Sequence, residues 1–63
     1  MNRYSCYLFN GHSDAAAVRE ITADFDVKAV FLARTAATEA GYSRSELRQH
    51  HRVVRRENCR LAA

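Results

Sequence analysis

Glycine is scarce in this chain: of 63 residues only Gly11 and Gly41. A phosphate-cradling loop needs several glycines so that backbone N–H groups can close on an anion, and that class of nucleotide site is excluded. Cysteine is equally thin. Cys6 and Cys59 form no C-x-x-C pair, and His12, His50 and His51 form no H-x₃-H pair, so the closely spaced ligands of a zinc site are missing. His50 and His51 are adjacent and on a turn would point in different directions. They are expected to be solvated turn residues, and neither a metal nor a cofactor is expected at His12, His50, His51 or Cys59. No apolar run approaches the roughly 18 residues of a membrane span. No basic stretch followed by an apolar one opens the chain, which argues against a signal peptide. The expectation is a cytoplasmic protein with no membrane partner and both thiols reduced. No carboxylate pair sits in an evident cleft. Cys6 lies in an apolar stretch and reads as an inert thiol rather than a nucleophile. A chain this short has little room for a pocket of a few hundred Å³, so an enzyme is not expected and no catalytic residue is assigned.

What is present is a single domain, residues 1–63. Such a chain buries only about 60% of its unfolded surface, so its stability is marginal unless a disulfide, a metal or a second subunit adds to it. The net charge of +3 is unevenly spread. Residues 1–43 carry Arg3, Arg19, Lys28 and Arg34 against Asp14, Glu20, Asp24, Asp26 and Glu39. Residues 44–63 carry Arg44, Arg48, Arg52, Arg55, Arg56 and Arg60 against Glu46 and Glu57. A basic end of this kind attracts nucleic acid or an acidic protein surface, or is simply a solvated face.

The order of elements can be read along the chain. Residues 3–9, RYSCYLF, are rich in aromatics and read as a strand. Residues 10–14, NGHSD, form a turn, since Asn10-Gly11 tolerates positive φ. Residues 16–23 alternate, with Ile21 and Ala23 on one side and Glu20 and Thr22 on the other, completing a first hairpin over 1–23. Asp24 is the expected N-cap, with Asp26 in the first turn, for a helix over 24–41 that contains no interior glycine or proline and stops at Gly41. Lys28, Thr35 and Glu39 share one side of it. Val30, Ala33, Ala37 and Ala40 lie roughly opposite, a small-residue stripe able to sit close to a sheet. Val27 and Phe31 fall at the edge of that stripe, placed either to cap the core or to meet a partner, and are candidates for a dimer contact.

Residues 44–57 admit two readings. As a helix, Ser43 and Glu46 make a capping box, TAATEAGYSRSELRQHH has helix-turn-helix spacing at Ala37, Gly41 and Leu47, and GYSRSEL resembles the second helix of ribbon-helix-helix repressors. Arg44, Ser45 and Arg48 would then face DNA. As a hairpin, His50-His51 is a two-residue turn of type I′. Strands 46–49 and 52–56 pair with Leu47 opposite Val54, Glu46 opposite Arg55 and Arg48 opposite Val53. The helical stripe through Leu47, His50, His51, Val54, Asn58 and Leu61 is half polar, and the hairpin is the reading taken. Residues 58–63 are a tail.

The order and spacing of several short motifs add to this. Tyr4, Cys6 and Tyr7 are followed by Gly11 and His12, then Ile21, Ala23 and Asp26, then Ala29 and Ala33, and finally Glu46, Leu47, Arg52 and Val54. In this the chain resembles a family of short uncharacterised proteins, a domain of unknown function found mainly in alphaproteobacteria. Arg48 stands where that family often has Trp, and His50 where it often has Gly. The resemblance covers residues 4–56. It implies a ββαββ layout: a four-stranded antiparallel sheet of two hairpins with one helix on one face, an α+β fold. It implies no activity.

One helix covers one face of a four-stranded sheet. The other face is then solvated, buried against a partner, or used for binding. Tyr7, Phe9, Arg48, Val53 and Arg55 are the residues expected there, and aromatics among arginines on an open sheet suit the stacking of single-stranded bases. The leading functional reading is a small non-enzymatic protein-interaction domain, homodimeric or bound to another protein. The alternative is a nucleic-acid-binding regulator using Arg44–Arg56.

Overall fold

Alternation in the first half of the chain builds a hairpin. A computed structural model describes residues 1–10 and 15–58, and of Ala16 only the backbone. Strand β1 is Asn2–Phe9 and β2 is Ala15–Ala23, paired antiparallel with Tyr4 opposite Ile21 and Leu8 opposite Ala17. Helix α1, Asp26–Ala40, follows, then β3, Arg44–Gln49, and β4, Arg52–Asn58. The four strands form one antiparallel sheet in the order β2-β1-β3-β4, so the expected ββαββ architecture is the one observed. The recognition-helix alternative for residues 44–57 is overturned: these residues are two strands. β1 and β3 are central, and α1 crosses over β1 to connect β2 with β3. The expected turn over 10–14 lies, beyond Asn10, outside the described residues.

The buried face is set by the period of two on β1. Tyr4, Cys6 and Leu8 point under the helix and are joined by Ile21 and Ala23 from β2 and Leu47 from β3. From α1 come Ala29, Ala33 and Ala37, one residue every four, a row with no side chain beyond Cβ that lets the helix lie close to the sheet. The expected stripe named Ala40 instead of Ala29. Ala40 is exposed because the helix ends there, while Val30 is half-buried at the margin.

The helix ends as glycine chemistry dictates. Gly41 has φ 80°, its N–H donates to the Thr38 carbonyl at 3.2 Å, and the Tyr42 N–H donates to the Ala37 carbonyl at 2.9 Å. This paired closure satisfies the last orphan carbonyls, and the apolar residue after the glycine folds back onto the core. Ser43 then bonds the Phe9 carbonyl through both its N–H, at 3.0 Å, and its hydroxyl, at 3.2 Å, which seats β3 beside β1. At the other end the expected N-cap is corrected. Phe25, in extended conformation and with no side-chain cap bond, occupies that position. Asp24 offers its carbonyl to Asn2 Nδ2 at 3.3 Å, and the Asp26 carboxylate accepts from Tyr4 and Arg52.

The second hairpin turns at His50-His51 as expected, but its register is corrected. Gln49 pairs with Arg52 and Arg48 with Val53. A β-bulge then intervenes, so that Leu47 lies opposite Arg55, Glu46 opposite Arg56, and Arg44 opposite Asn58. Val54 is the extra residue. It packs half-buried against the core, Arg55 faces the helix beside it, and strand β4 runs on through Asn58 rather than leaving it to a tail. His50 carries φ 57°, while His51 is not in the positive-φ region, so the turn is not type I′.

Candidate interaction surfaces

On the uncovered face of the sheet, β1 presents Ser5, Tyr7 and Phe9, β2 presents Val18, Glu20 and Thr22, β3 presents Arg44, Glu46 and Arg48, and β4 presents Val53 and Arg56. This follows from the register and from the burial of the alternate set. The expected face residues Tyr7, Phe9, Arg48 and Val53 are thus brought together. Arg55 is not among them. The bulge at Val54 turns it to the helix side, and Arg56 takes the place expected for it. Arg44 was missed as well. The signal was available, since Arg44 and Arg48 are four residues apart on a strand and share a face.

Each ring on this face lies under a guanidinium. Arg44 Cζ sits 4.6 Å from the centre of the Phe9 ring and Arg48 Cζ 5.2 Å from that of Tyr7, within range of attraction between a cation and the negative face of a ring. The cross-strand pairs Phe9–Arg44 and Tyr7–Glu46 put these groups on adjacent strands. Glu46 bridges two arginines, accepting from Arg48 Nε and, at 2.8 Å, from Arg56 Nε. Burial is the largest single influence on its carboxyl and pushes it up. The two arginines together outweigh that, and the group is held below its ordinary value. Further along the same face, Arg3, Ser5, Glu20, Arg48 and His50 line a cleft of about 320 Å³, with Arg3 and Glu20 3.8 Å apart.

On the other side of the molecule a groove of about 340 Å³ runs between α1 and β4, lined by Asp26, Val27, Val30, Arg34, Val54 and Arg55. Val27 is 76% exposed and Phe31, one turn along α1, is 63% exposed. Both face outward, and neither caps the core. Phe25, 57% exposed, adds a third large apolar side chain at the start of the helix. The rim carries a second glutamate between two arginines. Glu57 accepts from Arg34 Nε at 2.9 Å and Nη2 at 2.7 Å, and from Arg55 Nε at 3.1 Å. The Arg34 bonds hold its carboxyl below the ordinary value, against the effect of burial.

A polar clasp stands at the start of the helix, partly open to solvent. The Tyr4 hydroxyl donates to Asp26 Oδ1 at 2.7 Å, and Arg52 Nη1 donates to Asp26 Oδ2 at 3.2 Å, joining β1, α1 and β4. The bond to Asp26, then burial, raises the Tyr4 phenol above its ordinary value. The same bond, then that of Arg52, lowers the Asp26 carboxyl.

Among the described residues, no three His, Cys, Asp or Glu side chains gather as metal ligands, and no helix is long and apolar enough to cross a membrane. His50 and His51 are exposed on the turn, while His12 and Cys59 lie outside the described residues. Cys6 is fully buried. No family model matches the chain, and no curated protein or solved structure is significantly similar to it.

Proposed function

We propose that the protein is a small non-enzymatic protein-interaction domain that works as a homodimer, joined through the outer side of α1 and the groove between α1 and β4. The observation that carries this reading is the placement of Val27 and Phe31. Two large apolar side chains stand in water beside a groove whose floor, Val30 and Val54, is itself apolar. A contiguous apolar patch on so small a domain is characteristic of an interface. Knob and groove lie side by side, so a two-fold axis lets Phe31 of each subunit enter the groove of the other. The charges at the rim do not oppose this, because Arg34 and Arg55 are both tied to Glu57. A dimer also supplies burial that the core, nine mostly small side chains among the described residues, lacks in a chain of 63 residues.

Sedimentation of the full chain at micromolar concentration tests this. A dimer is expected, and Phe31→Glu combined with Val27→Glu is expected to give a monomer with unchanged far-UV circular dichroism, since both positions are exposed. A strictly monomeric, well-folded wild type would sink the reading.

A further inference from the structure

The uncovered sheet face asks for a different occupant. Among the described residues it carries Arg3, Arg44, Arg48 and Arg56 against Glu20 and Glu46, an excess of two positive charges. A second copy laid on it would oppose like charge with like charge, so this face is not the homodimer surface. Its two rings are two residues apart on β1, which places them about 6.6 Å apart along the strand. Each has a guanidinium group over it. Beyond Tyr7, in the direction of Ser5, the face opens into the cleft lined by Arg3, Arg48 and His50. Flat stacking surfaces, cations beside them and a cleft at one end therefore lie in one line, from Phe9 past Tyr7 to Ser5.

We infer that this face binds single-stranded nucleic acid of two or three nucleotides' reach, its bases stacking at Phe9 and Tyr7 and its phosphates meeting Arg44, Arg48 and Arg3. A polyanion matches the sign of the face. A planar base matches the rings and the guanidinium planes, which an acidic peptide does not exploit. A duplex, with its bases already stacked inside, offers only its phosphates. The site is independent of the dimer proposed above, because Val27 and Phe31 lie on the opposite side of the molecule.

The test is fluorescence anisotropy of the full chain with a labelled oligothymidylate of about 12 nucleotides, at about 50 and 200 mM salt. Binding is expected at the lower salt and should weaken roughly ten-fold or more at the higher, as phosphate contacts require. Tyr7→Leu with Phe9→Leu, which keeps apolar bulk and removes the rings, should weaken it by about ten-fold or more per ring. Should that variant lose its far-UV circular dichroism, Arg44→Gln with Arg48→Gln takes its place, with a loss of similar size expected. Thr38→Ala, exposed on α1 and outside both surfaces, should bind as the wild type does. The inference is overturned by no binding at the lower salt, by polyglutamate competing as well as unlabelled oligothymidylate, by a duplex of equal length binding as tightly as the single strand, or by folded ring or arginine variants that bind like the wild type.

Discussion

The two faces of the sheet share out the aromatic residues of β1 in a way that hydrophobicity alone would not choose: Tyr4 is covered, and Tyr7 and Phe9 are not. Under the helix lie Tyr4, Cys6, Leu8, Ile21, Ala23 and Leu47, packed against Ala29, Ala33 and Ala37 of α1, with Tyr42 partly buried at the margin. On the uncovered face lie Tyr7 and Phe9, among the larger apolar side chains of the chain, half-exposed beneath arginines. The difference teaches that fit against an alanine row decides burial here. A helix whose inner side has nothing beyond Cβ rests close to the sheet, and that spacing accepts Leu8 and Leu47 but leaves no room for two more rings. Tyr4 is tolerated because its hydroxyl reaches past the helix start to Asp26. The uncovered rings are instead matched with guanidinium groups, which stay partly solvated.

The largest test of that contrast sets neighbouring residues of β1 against each other. Leu8→Ala should destabilise the protein by about 3 kcal/mol, and Phe9→Ala by about 1 kcal/mol, in urea denaturation; equal losses would erase the distinction between the faces. Filling the close approach is the next test. Ala33→Leu should lose about 2 kcal/mol through overpacking, and a neutral result would show that the helix is not held close.

The polar groups of the covered side should reveal themselves through pH. A raised phenol means that the contribution of Tyr4 is present below the ordinary tyrosine value, about pH 10, and is lost as pH rises through the folded value. A lowered carboxyl means that the contribution of Asp26 is present above the ordinary aspartate value, about pH 4, and is lost as pH falls through its folded value. Tyr4→Phe should therefore flatten the alkaline limb of melting temperature against pH and reduce the acid limb. An unchanged profile would remove the clasp from the account of stability.

The two glutamate bridges offer a smaller contrast, one on each side of the second hairpin. Glu57→Gln should lower stability at neutral pH by about 1 kcal/mol and Glu46→Gln by about half that, because Glu57 alone ties a strand to the helix. Smallest, and opposite in sign, is the turn that both sides share. His50→Gly should raise stability by roughly 0.5 kcal/mol, since the left-handed conformation it relieves outweighs the added freedom of the unfolded chain. Thermal denaturation reads the sign.

Much of this arrangement was legible in residue order. The alternation of RYSCYLF and of REITA, the alanine-rich stretch and Gly41 give two strands, a helix and its stop. Leu47 inward and Arg48 outward were readable from the second hairpin. The placement of Tyr7, Phe9, Arg48 and Val53 on one face followed from a period of two. The exchange of Arg55 for Arg56 has one cause. Arg55 was assigned to the uncovered face because strict alternation across His50-His51 puts it there, and a single bulge at Val54 reverses every residue beyond it.

By itself, then, the sequence determined the kind and order of the elements, because propensity, alternation and the glycine stop act between residues a few positions apart. Tertiary structure alone decided the rest. The bulge arises where β3 pairs with β1 and β4 together while Glu57 reaches Arg34, 23 residues away. The helix starts after Phe25, and not after Asp24, where Asp26 bonds Tyr4 and Arg52, 22 and 26 residues distant. Ala29 is buried and Ala40 is not because the sheet lies beneath the helix from its first turn as far as Ala37 and not under its last residue. Each of these is an agreement among surfaces that meet only when the chain is folded, and no window of neighbouring residues contains it.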